Sequence, residues 1–164
     1  MKHFILFLLV ILSLKTLAQD YNAAATIRIG TFSGVSYKYF VNSEKSYEAM
    51  LTFKNGGAQI TLLKEIHQPI FMSITNQLFL YYGYGAHCGF TRWSSKVVEI
   101  NGEKFLKKQT SIAAGLDFVL GMEYHFIKYP FAISFEVKPI YEIGFPKIFH
   151  QNFNIIATGL KYTF

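Results

Sequence analysis

Apolar and polar residues alternate along much of this chain with a period of two, the mark of strands that present one apolar and one polar face. The clearest stretch runs from Gly115 to Phe126. Leu116, Phe118, Leu120, Met122, Tyr124 and Phe126 share one face, and Gly115, Asp117, Val119, Gly121, Glu123 and His125 share the other. After Lys128-Tyr129-Pro130, a turn with proline, Phe131, Ile133, Phe135 and Val137 alternate with Ala132, Ser134, Glu136 and Lys138, which predicts a hairpin. Upstream, Leu78, Leu80, Tyr82 and Tyr84 oppose Phe79, Tyr81, Gly83, Gly85 and His87, while Tyr47, Ala49, Leu51 and Phe53 oppose Glu48, Met50, Thr52 and Lys54. Asn55-Gly56-Gly57 predicts a tight turn, because Asn and Gly accept positive φ, and Ala58 to His67 continues as a strand. In that strand Lys64 shares the apolar face with Ile60, Leu62 and Ile66. The last strand, about 153–164, sets Ile156, Thr158, Leu160, Tyr162 and Phe164 against Ala157, Gly159, Lys161 and Thr163.

Composition decides what such strands build. Hydrophobic residues make up 51% of the chain and aromatics 18%, high values for a soluble domain. Yet no stretch has the roughly 18 uninterrupted apolar positions of a membrane-spanning helix. A β-barrel with an apolar outside and a polar lumen reconciles the two facts. The chain start points to export. Lys2 and His3 precede an apolar run from Phe4 to Leu14, and Leu17-Ala18 offers a small-residue cleavage point, so residues 1–18 read as a signal peptide and 19–164 as one barrel domain. No cysteine stands at the cut, which disfavours a lipid anchor, and the single cysteine, Cys88, can form no internal disulfide. The net charge of +6 falls to about +4 once Lys2 and Lys15 leave with the signal, leaving little reason to expect a nucleic-acid partner.

Ala23 to Phe40 could form one strand or two, broken at Ser33-Gly34. Bacterial membrane barrels have even strand numbers, short periplasmic turns and longer outer loops. Two strands there give eight in all and put the longest connection, about 92–110, outside. The expected fold is therefore an all-β, eight-stranded antiparallel up-and-down transmembrane barrel.

Gly34-Val-Ser-Tyr-Lys-Tyr-Phe before a short turn, the Gly115 to Lys138 hairpin and the closing Gly159-Leu-Lys-Tyr-Thr-Phe164 together resemble the OmpX/OmpA-type small outer-membrane β-barrel family. The resemblance implies assembly in the outer membrane of a Gram-negative type of bacterium, and roles in adhesion, surface defence or envelope integrity. Leu160, Tyr162 and Phe164, an aromatic terminus preceded at two-residue steps, resemble the signal recognised by barrel-assembly machinery. The family carries no catalytic residues to transfer, so fold is implied more firmly than activity.

The polar parity gathers Arg28, Lys38, Lys54, Lys138 and Lys161 with Glu48, Glu65, Asp117, Glu123 and Glu136 in the lumen. An eight-stranded barrel is just wide enough for side chains, so these charges are expected to form a packed network rather than an open pore. The alternative is a small channel or hydrophobic-ligand conduit. A lipid A-modifying enzyme would need a histidine beside a serine hydroxyl with a supporting carboxylate, and no motif in the sequence suggests one. His67, His87, His125 and His150 lack one-face ligand spacing and Cys88 has lipid-facing parity, so neither metal nor cofactor is expected. Tyr37, Tyr39, Tyr124, Phe126, Tyr129, Phe131 and Tyr162 near strand ends suit aromatic girdles.

The outer connection is the expected contact element. Val97-Val-Glu-Ile100 and Glu103-Lys-Phe105 flank Asn101-Gly102, a type I′ hairpin signal that suggests a projecting ribbon. Arg92, Lys96, Lys104, Lys107 and Lys108 against Glu99 and Glu103 give it a charge of about +3, suited to lipopolysaccharide or another acidic surface partner, with Trp93 beside them.

Overall fold

A computed structural model describes residues 22–54, 56–70, 75–100, 103–145, 150–152 and 155–164. The strands are β1 Ala23–Gly30, β2 Ser33–Phe40, β3 Lys45–Lys54, β4 Gly57–Pro69, β5 Leu78–Ile100, β6 Glu103–His125, β7 Phe131–Val137, β8 Ile140–Phe145, β9 His150–Asn152 and β10 Ile156–Thr163. All pairings are antiparallel. β1 to β6 follow one another in the sheet, and β10 closes it between β7 and β1. The proposed signal segment, residues 1–18, lies outside the described residues.

The ten segments make eight staves. β7 and β8 pair in turn with β6 in one continuous register, Leu120 opposite Val137 and Asp117 opposite Ile140. Pro139 separates them because it has no N–H for the ladder, while its carbonyl still accepts from Phe118 N at 2.9 Å. β9 and β10 likewise share a stave, with a one-residue shift between Tyr141 opposite Gln151 and Val137 opposite Ile156. Chain ends meet at the seam, where Ala23 N donates to Phe164 O at 3.1 Å and Phe164 N to Ala23 O at 2.9 Å. Following the register round the ring returns to β1 displaced by about ten residues, so the staves tilt by roughly 35–45°.

One boundary differs from the sequence expectation. The first hairpin turns at Thr31-Phe32, and Ser33-Gly34 already belongs to β2. Gly34 serves close approach instead, since a Cβ there would run into the backbone of Leu51 and Thr52. The long connection after Arg92 is a ladder, paired from Thr91 opposite Ser111 to Ile100 opposite Glu103, with an irregularity between Ser94 and Val97. Beyond Phe90 on β5 and Ile112 on β6 these strands have no other partners among the described residues, so about ten residues of each rise past the rim as a two-stranded ribbon roughly 30 Å long. Of the described connections, those at the far end at Thr31-Phe32 and at Gly56, with φ 69°, are tight, while those at the end carrying the termini, 41–44 and 126–130, are longer.

The alternation sorts the side chains inside out. Ile29, Ile112, Ile143 and Leu62 face outward with 73%, 71%, 66% and 63% of their surface exposed, whereas Arg28, Lys38, Glu48, Glu65, Glu123 and Lys161 are buried inside. Among the described residues the interior apolar cluster is small: Met50, Leu63, Tyr81 and Val119. Gly121 on β6 makes room for the Tyr81 ring, which a Cβ would strike.

Candidate functional site

The lumen is built by the inward parity of each strand: even numbers on β1, β2, β3 and β7, odd numbers on β4, β5, β6 and β10. Arg28 of β1 crosses it, its Nη2 donating to Glu48 Oε1 of β3 at 2.8 Å and its Nε to Glu136 Oε1 of β7 at 3.0 Å. Ser36 Oγ donates to the same Glu48 oxygen at 2.5 Å, and Tyr81 Oη of β5 donates to Glu136 Oε2 at 2.7 Å. Lys38 of β2 lies 2.5 Å from Glu65 Oε2 of β4 and 3.6 Å from Glu48 Oε2. Lys161 of β10 pairs with Glu123 of β6. The Tyr81 ring has the Lys38 ammonium 4.5 Å and the Lys161 ammonium 4.8 Å from its centroid. Apart from Ser36–Glu48 and Lys38–Glu48, which join the neighbouring β2 and β3, these links join staves two or three apart, so the network braces the barrel across its width.

Two further clusters cap the network. Towards the far rim, His87 stands between Asp117 Oδ1 at 2.8 Å and Glu142 Oε1 at 3.2 Å, with Lys138 Nζ 3.8 Å from Asp117. Towards the end with the termini, the His67 ring stacks on Tyr81 at a centroid distance of 5.2 Å and meets the Phe40 ring tilted at 5.0 Å, and His125 Nε2 meets Glu123 Oε1 at 2.6 Å. Among the described residues the buried set holds four cations, Arg28, Lys38, Lys138 and Lys161, and five carboxylates, Glu48, Glu65, Asp117, Glu123 and Glu136. Side chains of Lys54, Arg92, Trp93, Lys96, Lys104, Lys107 and Lys108 lie outside what is described. Leu160 and Phe164 face outward, and Phe164 packs near Tyr162 and Tyr37 with ring centroids 6.0 and 6.2 Å away.

Sequence reasoning missed one constellation. Ser46 Oγ lies 3.1 Å from His67 Nε2, and Glu65 Oε2 lies 3.2 Å from the same nitrogen. The signal was there: Glu65 and His67 share a face at i, i+2, and Ser46 opposes Glu65 in the ladder. A nucleophilic triad needs the carboxylate on the ring nitrogen remote from the serine, where it can orient the imidazole. Here both partners use Nε2 and Ser46 is fully buried, so the three form a structural hydrogen-bond knot. Among the described residues no group of three or more His, Cys, Asp or Glu could hold a metal, and no helix is long and apolar enough to cross a membrane.

On the outer surface the exposed tyrosines, Tyr37, Tyr39, Tyr47, Tyr82, Tyr84, Tyr124 and Tyr129, gather in the half of the barrel that carries the termini, and the far half is mainly aliphatic, with Phe53 and Phe90 near its rim. Lys64 is half-buried and lies in register between Tyr47 and Tyr84, within that tyrosine zone.

Fold and interior together define a closed, eight-stranded antiparallel barrel with an ion-paired lumen and an apolar exterior. Its fold is similar to that of the N-terminal β-barrel domain of Pseudomonas aeruginosa OprF, with a TM-score of 0.58 and 12% sequence identity over 89% of this chain and 100% of that one. No family model and no curated protein matches the sequence.

Proposed function

We propose that this protein is a non-enzymatic outer-membrane β-barrel of a Gram-negative type of bacterium, held in lipid by its apolar exterior and presenting the β5–β6 ribbon as a surface-interaction element. The observation that carries the reading is the inversion of sides. Isoleucines and leucines more than half exposed cover the outside while arginine, lysines and glutamates fill the inside. In water that arrangement would leave a large apolar surface unburied, whereas in a bilayer it places apolar groups in hydrocarbon, and closure leaves no open strand edge in the barrel wall. The likeness to the OprF barrel supports the same reading.

The termini and tyrosine zone then lie at the periplasmic interface, as expected for a chain exported through a signal peptide at residues 1–18 and assembled through Leu160, Tyr162 and Phe164. The ribbon projects outward. Its positive charge, from Arg92, Lys96, Lys104, Lys107 and Lys108, suits acidic surface partners such as lipopolysaccharide. The cross-lumen ion pairs favour a braced interior over a conduit, because each carboxylate already has a cation or hydroxyl within reach.

Deleting residues 93–108 and joining β5 to β6 with a short turn tests the ribbon's role. The shortened barrel should insert into vesicles as the parent does and lose binding to lipopolysaccharide or to whole cells. Retained binding would assign recognition elsewhere on the surface.

A further inference from the structure

Resting on the membrane placement above, we propose that Lys45 and Lys64, with Tyr47 and Tyr84, form a binding site for the phosphate of a phospholipid in the leaflet at the barrel end carrying the termini. Among the described residues these two lysines are the outward-facing charged side chains of the paired barrel wall. Neither has an ion-pair partner among the described residues, and Glu44, the carboxylate beside Lys45 in the exposed turn, forms no ion pair with either.

Register brings the four residues together. Tyr47 opposes Lys64, Lys64 opposes Tyr84, and Lys45 opposes Ile66, so Lys45 and Lys64 are diagonal neighbours on one face, about 7–8 Å apart at the backbone. Two ammonium groups on flexible stems at that separation can converge on one phosphate. Lys45 marks the strand end, and Lys64 lies less than one strand turn deeper, so its stem can run along the wall towards Lys45 and keep its charge at the interface. Tyr47 and Tyr84, about half exposed, flank it with hydroxyl donors.

The next row inward fits the rest of such a lipid. Ala49 opposes Leu62 and Leu62 opposes Ala86. Leu62 therefore stands as a ridge between two small residues, with a shallow channel on either side directed away from the lysines and into the apolar belt. A headgroup phosphate on Lys45 and Lys64 would lay its two acyl chains along these channels. Charge selects the occupant: two unpaired cations on an apolar wall call for an anion at the depth of the tyrosine zone, where phospholipid phosphates lie, while lipopolysaccharide phosphates lie in the opposite leaflet.

The test is native mass spectrometry of the full barrel released from mild detergent after titration with phosphatidylglycerol. The parent should retain one lipid. Lys64→Met should weaken retention roughly fivefold and Lys45→Gln with Lys64→Met more than that, whereas Lys64→Arg should keep it. The heat-dependent gel shift of each variant reports whether it has folded and inserted. Insertion with equal retention in parent and double variant overturns the lipid site alone. Failure of the parent itself to insert overturns the membrane placement and the site with it. Full displacement by millimolar inorganic phosphate, or preferential retention of lipopolysaccharide, would overturn the assignment to a phospholipid.

Discussion

Arg28→Met is expected to destabilise the folded barrel by about 3–5 kcal/mol, the cost of leaving buried charges without their partner. Methionine keeps much of the volume, so the loss is electrostatic rather than a cavity. Glu48 and Glu136 are both buried and both take their closest cation contact from Arg28, at 2.8 and 3.0 Å. Without it, Glu48 keeps Lys38 at 3.6 Å and the Ser36 hydroxyl, and Glu136 keeps only the Tyr81 hydroxyl among the contacts described. Combining Arg28→Met with Glu48→Gln and Glu136→Gln removes the stranded charges and should recover most of the stability. Urea titration of the vesicle-refolded proteins, read as the fraction migrating folded on an unheated gel, measures both steps. A single variant as stable as the parent would mean the lumen is wet enough to solvate the carboxylates. A triple variant no better than the single would mean the arginine acts by packing.

Leu116→Arg should cost about 2–4 kcal/mol in a bilayer, because a cation on the lipid face near mid-depth is the expensive substitution in a membrane barrel. Leu116 faces outward on β6 with 58% of its surface exposed and pairs with Ala86 and Tyr141, well inside the belt. In a water-soluble protein a leucine so exposed would tolerate arginine within roughly 0.5 kcal/mol. The same variant therefore separates the two environments. Equilibrium unfolding from vesicles checks it, and a neutral result would contradict lipid contact at this position.

Much of the architecture is legible in period two. The sides of β3, β5, β6, β7 and β10 follow from alternation because one face of each is apolar, and a one-residue slip would move every side chain to the wrong side. Two boundaries were not legible, each for a physical reason. Ile140–Phe145 continues the β7 stave, but Pro139 breaks the ladder and makes the sequence look like the end of a strand. The ribbon announces itself at its tip, where Val97-Val-Glu-Ile100 and Glu103-Lys-Phe105 flank Asn101-Gly102, while polar and charged residues at both parities of 92–110 leave its register unspecified. The Ser33-Gly34 pair looks like a turn because glycine usually is one, whereas here Gly34 is small so that β2 and β3 can approach.

The pairings inside the barrel were hidden for a different reason. Parity places Lys38, Glu48, Glu65 and Lys161 in the lumen, but which carboxylate meets which cation depends on the stagger of the closed sheet. Lys38 opposes Glu48 directly in the ladder, yet its closer partner is Glu65, two strands away. Closure is a property of the whole ring, which no local window of sequence contains.

The most direct test of the barrel's placement is migration on a denaturing gel, with and without boiling, of the protein taken from purified outer membranes. A membrane-inserted barrel resists unfolding by detergent until heated, so the unheated sample should run as a faster, compact band that shifts on boiling to the slower position of the unfolded chain. Recovery in the soluble fraction as a single heat-indifferent band would contradict the account.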